Sequence, residues 1–344
     1  VAVDALGRYV AVGGGGTVLR SDDSIAWSAP SSLPDLLSNQ DLFAVDASAD
    51  GFVAAGAFGI VLLSDTGETW DGIQTPVLTP LYGVASGGGN HVVVGQAGVI
   101  LLNTGGQEWP EQDSDGVTAD LFDVEYGNDV FVAVGDAGAV LTSPDGATWT
   151  SRAPTGITEN LRGIGYGELA GFPYWTAVGE SGATYISTDD GVTWASRNAG
   201  TNRDLQTVSF GQGNFLLAGA DGMVLSSGNS SDWFVRPIGT DYALNGAAFF
   251  NGVFTLVGDF QTVVTSGRVE ERSSQEIIFL PIENKVIGDP DFEVQVAATS
   301  GLPVSVEIVS GPATIAGNEI DLGGTTGTVV VRATQAGSVL FDAA

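Results

Sequence analysis

Carboxylates are the residues of this sequence with the clearest capacity for chemistry, since 41 acidic residues stand against 11 basic ones, with one histidine and no cysteine. Within the acidic stretch 111–129, Asp113 and Asp115 precede Gly116 and place two hard oxygen ligands beside a predicted turn, which is the donor chemistry that Ca²⁺ prefers. The EF-hand pattern is incomplete, because the ligand two residues on and the glutamate at the twelfth position are missing. Calcium is the one cofactor that the sequence raises, with a solvated loop as the alternative.

The sequence offers few residues for other kinds of catalytic chemistry. The only histidine, His91, falls at the start of a predicted strand. This single residue gives little support for a Ser-His-Asp triad, and it excludes His-rich metal sites. The absence of cysteine excludes thiol catalysis and zinc–thiolate sites. Two carboxylates could still hydrolyse a glycoside, but 41 acids give too many pairs to single one out. The aromatic residues within 172–175 could contact a sugar or a partner, or simply pack.

The charge balance limits the classes of partner. The formal net charge is −30, and Lys285 is the only lysine. Nucleic acid and anionic membranes are excluded as partners, because both are bound through basic patches that this chain lacks. An acidic surface instead favours cation binding, a basic partner or solubility in high salt, with a merely solvated surface as the alternative. No apolar run reaches the roughly 18–20 residues of a transmembrane helix.

A repeat of about 40 residues organises the first 270 positions. A glycine that ends an apolar run recurs at intervals of 43, 39, 40, 44, 40 and 39, and a second glycine follows three residues later in every copy except the last, which has Gln261. The first glycines are Gly13, Gly56, Gly95, Gly135, Gly179, Gly219 and Gly258. Seven copies of this length predict seven blades of a β-propeller.

The fourth copy illustrates the strands within a repeat. Alternating and apolar runs predict strands at 121–125, 130–134 and 139–143, and Trp149 is predicted to lie on a fourth strand. Four antiparallel strands per copy are the unit of a propeller blade.

The turn between the third and fourth strands carries the most specific local motif. It is complete in the fifth copy as S-x-D-x-G-x-T-W and shortened in the fourth and second copies. A carboxylate there can accept turn amides, glycine supplies a positive φ, and tryptophan buries a large ring between blades, so a structural role is predicted. The residues are Ser187, Asp189, Gly191 and Trp194; Ser143, Asp145, Gly146 and Trp149; and Ser64, Gly67 and Trp70.

These motifs resemble the Asp-box (BNR-type) propellers, and the run 131–149 is most similar to the seven-bladed photosystem II assembly-factor-like repeats. The resemblance implies a propeller fold over residues 1–270, a fold that hosts enzymes, receptors and scaffolds alike. The sialidase members carry an F/Y-R-I-P motif, which this chain lacks. The assembly factors are expected to have a positively charged face, whereas residues 1–270 here have 31 acids and 8 basic residues.

After residues 271–275, which we interpret as a junction, a different pattern begins. Segments at 277–281, 288–290, 300–304, 310–314 and 332–337 resemble the bacterial Ig-like repeats of very large surface proteins. That resemblance implies an Ig-like β-sandwich over 276–344. Its last strand is expected to be missing, and residues beyond Ala344 or another chain would then complete the sheet.

The sequence therefore predicts an all-β protein with a seven-bladed propeller followed by an Ig-like β-sandwich. We expect a non-enzymatic binding or structural segment of a bacterial protein that is secreted or displayed at the cell surface, and that serves adhesion or self-assembly. Its expected partners are other protein chains, copies of itself or surface glycans. A carbohydrate-active propeller, either lectin or glycoside hydrolase, is the alternative, followed by an assembly factor for a membrane complex.

Overall fold

The computed structural model describes residues 1–152, 156–169, 171–268, 276–279, 282, 284–286, 289–299, 301 and 303–335. The chain divides into two compact units, 1–269 and 270–344. Within the described ranges the regular elements are strands and single 3₁₀ turns, which confirms the all-β class. None of the described segments forms a helix that is long and apolar enough to cross a membrane.

The described part of the first unit folds into seven small antiparallel sheets, which we call A to G in chain order. Sheets B, D, E and F have four strands, and A, C and G have three. The strands are, in A, β1 (Ala2–Val3), β2 (Tyr9–Gly13) and β3 (Thr17–Ser21); in B, β4 (Leu42–Ser48), β5 (Gly51–Gly56), β6 (Ile60–Ser64) and β7 (Asp71–Gln74); in C, β8 (Leu81–Gly87), β9 (Asn90–Gly95) and β10 (Ile100–Asn103); in D, β11 (Leu121–Gly127), β12 (Val130–Gly135), β13 (Val140–Ser143) and β14 (Thr150–Ser151); in E, β15 (Leu161–Leu169), β16 (Phe172–Gly179), β17 (Thr184–Ser187) and β18 (Ala195–Ser196); in F, β19 (Leu205–Gly211), β20 (Asn214–Gly219), β21 (Val224–Ser227) and β22 (Phe234–Val235); and in G, β23 (Leu244–Phe250), β24 (Val253–Gly258) and β25 (Thr262–Thr265).

The first strands of successive sheets lie side by side. From β4 each first strand packs against that of the next sheet as far as β23, and the short β1 contacts both β4 and β23. The core is correspondingly divided into clusters between neighbouring sheets. In one of them Val92 and Leu102 of sheet C pack with Phe131 and Leu141 of sheet D, all nearly inaccessible to solvent. Burying both faces of sheets B to F in this way removes a large apolar area from water.

The first glycine of each pair marks a close approach of backbones in sheets B to G. A Cβ on Gly135 would lie 2.0 Å from the carbonyl oxygen of Asp120, the residue before the first strand of the same sheet. Only glycine fits there, and the same approach recurs at the equivalent glycines of sheets B, C, E, F and G. A 3₁₀ turn follows each first glycine, at Gly14–Gly16, Ala57–Gly59, Gln96–Gly98, Asp136–Gly138, Glu180–Gly182, Ala220–Gly222 and Asp259–Gln261, and a further one spans Asp35–Leu37.

The described part of the second unit consists of short strands. The strands are β26 (Ile277–Phe279), β27 (Phe292–Glu293), β28 (Val296–Ala298), β29 (Ser305–Ser310), β30 (Thr314–Ala316), β31 (Glu319–Asp321) and β32 (Val330–Thr334). They form three small antiparallel sheets. The first pairs β26 with β28, the second orders β27, β31 and β30, and the third pairs β29 with β32. The predicted junction 271–275 and the last residues of the predicted Ig-like module, 336–344, lie outside the described residues.

Candidate functional site

The serine–tryptophan turns that the sequence singles out lie between the third and fourth strands of sheets B, D and E. In sheet E the Ser187 hydroxyl donates to Asp189 Oδ1 at 2.8 Å, and the Thr193 amide donates to the same oxygen at 2.9 Å. Trp194 Nε1 donates to the Gly191 carbonyl at 2.9 Å. Burial acts to raise the pKa of Asp189, but the hydrogen bonds from Thr193 and Ser187 hold it below its ordinary value.

The other two turns repeat this geometry with small differences. In sheet D, Ser143, Asp145, Gly146 and Trp149 make the equivalent bonds. In sheet B the Ser64 hydroxyl accepts the amide of Gly67, whose carbonyl accepts the indole of Trp70. Trp149 precedes β14 rather than lying on it, because its indole turns back to close the turn.

The glycine of each turn lets the turn pack closely against the preceding sheet. A Cβ on Gly146 would lie 2.8 Å from a methyl of Val92 in sheet C, and one on Gly67 would lie 2.8 Å from a methyl of Val10 in sheet A. Their positive φ values, 76° and 78°, are the second requirement for glycine. The polar groups of these turns bond to one another, so the geometry is that of a structural joint between sheets.

Asp113 and Asp115 lie on the exposed connection between sheets C and D. Asp113 Oδ1 accepts the Asp115 amide at 3.0 Å, and Asp115 Oδ2 accepts the Ser151 amide at 3.0 Å. No group of three or more acidic or histidine side chains within the described ranges is arranged to hold a metal ion. Within the described ranges no third carboxylate is arranged with this pair, so calcium binding there stays a prediction.

The fold separates the rest of the acidic stretch from this pair. Asp123 and Glu125 lie on the first strand β11, and Asp46 lies on the first strand β4, all partly accessible. Asp123 Oδ2 accepts the Ile164 amide of β15 at 3.0 Å, which ties sheets D and E together. Burial raises the pKa of Asp46 to about 6 and that of Asp123 to about 7. Burial, with the charges of Asp46 and Asp123, raises the pKa of Glu125 well above its ordinary value.

One end of the sheets carries aromatic side chains that the sequence did not single out. At this end, the entry face, each first strand begins and each paired-glycine turn lies. Phe43, Tyr82 and Phe122 pack in a row across sheets B, C and D, with ring centroids 5.6 and 5.5 Å apart and ring planes tilted by 55° and 43°. The guanidinium of Arg162 from sheet E lies 4.0 Å from the centroid of Phe122. We call these four residues the aromatic row.

Within the aromatic row Phe43 is exposed and Tyr82 and Phe122 are half-buried, and other aromatic side chains are exposed on the same face. Phe58 and Phe260 occupy the middle of their 3₁₀ turns with 60% and 82% of their surface accessible, and Tyr242 lies 4.9 Å from Phe260, measured between ring centroids. Exposed aromatic surface that gathers at one place marks an interaction surface more often than scattered apolar residues do.

Carboxylates surround the aromatic row. Burial and then the charges of Asp120 and Asp136 raise the pKa of the Tyr82 hydroxyl. Burial and the charge of Asp120 likewise raise the pKa of Asp136. Glu180 pairs with Arg162 at 2.5 Å, and this hydrogen bond lowers the pKa of Glu180. The face therefore combines apolar rings with a negative potential.

The residue before the first-strand leucine ties several of the sheets to the preceding one. At four of these positions a side-chain oxygen accepts an amide from the 3₁₀ turn of the preceding sheet. The bonds run from Gly15 to Asp41 at 2.7 Å, from Ala97 to Asp120 at 2.8 Å, from Ala137 to Asn160 at 2.9 Å and from Ser181 to Asp204 at 2.8 Å. These bonds hold the entry face rigid beneath the aromatic row.

A cavity of about 470 Å³ lies on sheet E, next to the Arg162 end of the aromatic row, and is lined by Glu159, Glu180, Tyr185 and Arg197 among others. Glu159 accepts the Tyr185 hydroxyl at 2.8 Å, and that bond lowers its pKa. Glu180 is held by Arg162. Both carboxylates are ionised at neutral pH, so the pair lacks the protonated acid that glycoside hydrolysis requires.

Two other residues from the sequence analysis lie apart from the entry face. His91 on β9 contacts the Ser86 hydroxyl through Nδ1 at 2.8 Å, and burial lowers its pKa. Phe172 begins β16 and is 67% exposed. Neither lies with a set of groups that could do chemistry.

The aromatic row has a signal in the sequence that the motif search missed. Each member directly follows a fully buried leucine that opens a first strand, and the intervals between members are 39, 40 and 40 residues. The search followed glycines and tryptophans, whereas this position varies from Phe to Tyr to Arg. Only its constant place in the repeat identifies it.

Comparison with known proteins supports the fold. No protein-family model and no curated protein match the chain. Many solved structures are similar to it, and the three described next share so little sequence identity with it that the similarity concerns the fold alone. YCF48 bound to D1 peptide has 16% identity and a TM-score of 0.53, over 66% of this chain and 77% of that chain. YCF48 from Cyanidioschyzon merolae has 16% identity and a TM-score of 0.50, over 67% and 82%. The WD40 β-propeller domain of Doa1 has 12% identity and a TM-score of 0.54, over 66% and 79%. The chain is thus an all-β protein with a β-propeller fold that resembles YCF48.

Proposed function

We propose that this chain is a non-enzymatic, protein-binding segment whose entry face is the binding surface. The aromatic row is the observation that carries the proposal. It places three packed aromatic rings and a guanidinium on a rigid rim, and aromatic and arginine side chains dominate the binding energy of protein interfaces. One structural neighbour was solved with a D1 peptide bound, which supports peptide binding for this fold.

The architecture that we propose is a seven-bladed Asp-box propeller over 1–270 with an Ig-like module over 276–344. Seven sheets in the described part of the first unit and the bonded serine–tryptophan turns support the first assignment. The short antiparallel strands of the second unit support the second assignment.

We further propose that the protein is secreted and cell-surface displayed and acts in adhesion or self-assembly. Protease treatment of intact cells would test its display, since a surface protein is cleaved and an interior one is spared.

A random-peptide library displayed on phage would test the binding function. Peptides enriched on the intact chain are expected to lose binding to the double variant Phe43→Ala/Tyr82→Ala and to keep it on Phe234→Ala. Phe234 is a matched control, because it is 58% exposed on the outer strand β22. Enrichment that is indifferent to the double variant would refute the entry face as the binding surface.

The carbohydrate-active alternative has one observation in its favour. Asp46 and Asp123 are carboxylic acids with raised pKa values on neighbouring parts of the ring of first strands, as glycoside hydrolysis would require of its acid. Both oxygens of Asp123, however, accept backbone amides, from Val124 and Ile164. A glycan array together with nitrophenyl glycosides would decide, since binding or turnover lost in Asp123→Asn would favour this alternative.

A further inference from the structure

We propose that the occupant of the entry face is an extended basic segment of a protein partner, of the pattern Arg-x-Arg, whose guanidinium groups stack on Phe43 and Tyr82. This inference rests on the proposed binding function and names the partner's chemistry. It starts from a contact that the chain makes with itself.

Arg162 is the internal example of the recognition. Its guanidinium lies 4.0 Å from the centroid of Phe122, and Glu180 neutralises it at 2.5 Å. A cation over an aromatic face is attracted by the ring quadrupole, and the planar guanidinium also stacks. The chain therefore places a guanidinium on Phe122, at one end of the aromatic row, and Phe43 and Tyr82 are suited to accept the same group.

Among the described residues, acids lie near the two remaining rings and no cation is seated over either of them. Asp120 and Asp136 act electrostatically on Tyr82, partly offset by the charge of Arg162, and Asp41 stands two residues before Phe43. Among the residues that the structure describes, Arg162 is the only cation seen over a ring of the row. With a net charge of −30, the chain attracts a basic segment and repels an acidic one.

The spacing of the rings fits an extended chain. Neighbouring centroids of the row are 5.5–5.6 Å apart. Side chains on the same side of an extended segment repeat about every 6.6 Å, which is twice the rise per residue of a strand. Arginines at positions i and i+2 can therefore reach two successive rings, with residue i+1 directed away from the face.

Fluorescence anisotropy with three labelled peptides tests the inference on the full chain at physiological salt. The probes are Gly-Ser-Arg-Ser-Arg-Ser-Gly and its lysine and glutamate counterparts. The arginine peptide is expected to bind best, and the glutamate peptide not at all. Phe43→Ala/Tyr82→Ala is expected to weaken arginine-peptide binding about tenfold, because two cation–π contacts are lost.

Charge-matched variants separate recognition from general attraction to an acidic surface. Asp136→Asn is expected to weaken binding severalfold, whereas Asp71→Asn, on the outer strand β7, removes the same charge and is expected to leave binding unchanged. Asp136→Asn also retains the ring packing, so it tests the inference independently if the double variant unfolds.

Equal effects of Asp136→Asn and Asp71→Asn, or equal binding of the glutamate peptide, would overturn the inference. Displayed peptides that need Phe43 and Tyr82 but carry no arginine would overturn it as well and leave the proposed binding function intact. If no displayed peptide depends on the aromatic row, both the binding function and the inference fail.

Discussion

Replacing Gly135 by alanine is expected to destabilise the first unit strongly, although the change adds a single methyl group. The new Cβ would lie 2.0 Å from the carbonyl oxygen of Asp120 and 3.0 Å from the Cα of Leu121. The φ of Gly135 is −167°, an extended value that alanine adopts freely, so the cost is steric. The same carbonyl accepts the Asp136 amide at 2.9 Å, and moving the backbones apart to relieve the clash would break that bond.

The magnitude follows from these two terms. Forcing an extra carbon into a packed site costs about 1–3 kcal/mol, and a lost hydrogen bond costs about 1 kcal/mol more. We therefore expect the free energy of unfolding to fall by about 3 kcal/mol, which for a unit of this size lowers Tm by about 6–12 °C.

Thermal melts followed by circular dichroism and urea unfolding would measure the effect. The matched control is Gly267→Ala, because a Cβ at that position meets nothing within 4 Å and its φ lies outside the left-handed region. The control is expected to melt with the wild type. If Gly135→Ala also melts with the wild type, close backbone approach is not the reason for the paired glycines.

Three further predictions concern single side chains. Glu125→Gln is expected to raise Tm at pH 8 but not at pH 4. A raised folded-state pKa contributes stability that is present at low pH and lost as the pH rises through that pKa, and glutamine removes the loss; a gain that is the same at both pH values would contradict this. Asp189→Ala is expected to cost about 1–2 kcal/mol, since the Thr193 amide and hydroxyl lose their acceptor; an unchanged urea midpoint would argue against a structural role of the turn. Trp149→Phe is expected to cost about 1–3 kcal/mol through the lost bond to the Gly146 carbonyl and the smaller ring, measured by urea unfolding, and a loss below that range would mean that the indole packs loosely.

The all-β class was predictable because its causes are local and repeat along the chain. Gly135 and Gly138 recur in phase with apolar runs, and the strands of the fourth repeat begin within a residue of where those runs begin. The bonds of the turn from Ser187 to Trp194 join residues within a few positions of each other, so their structural role could be worked out without knowing the rest of the fold.

The candidate site was not predictable in the same way. The acidic stretch looks continuous in sequence, but the fold leaves Asp113 and Asp115 on an exposed connection and places Asp123 and Glu125 on a first strand, where burial raises their pKa. Which carboxylates share a local environment depends on how the sheets are arranged around one another, and that arrangement is not a local property.

The sequence by itself determined the repeat, the strand class and the turns, because backbone sterics and hydrogen bonds between near neighbours fix them. Only the tertiary structure decided that Phe43, Tyr82 and Phe122, about 40 residues apart, pack together at one end of the sheets and meet Arg162. Contacts between successive repeats depend on how each sheet packs against the next, and aromatic residues in the sequence carry no sign of their spatial neighbours until that packing brings them together.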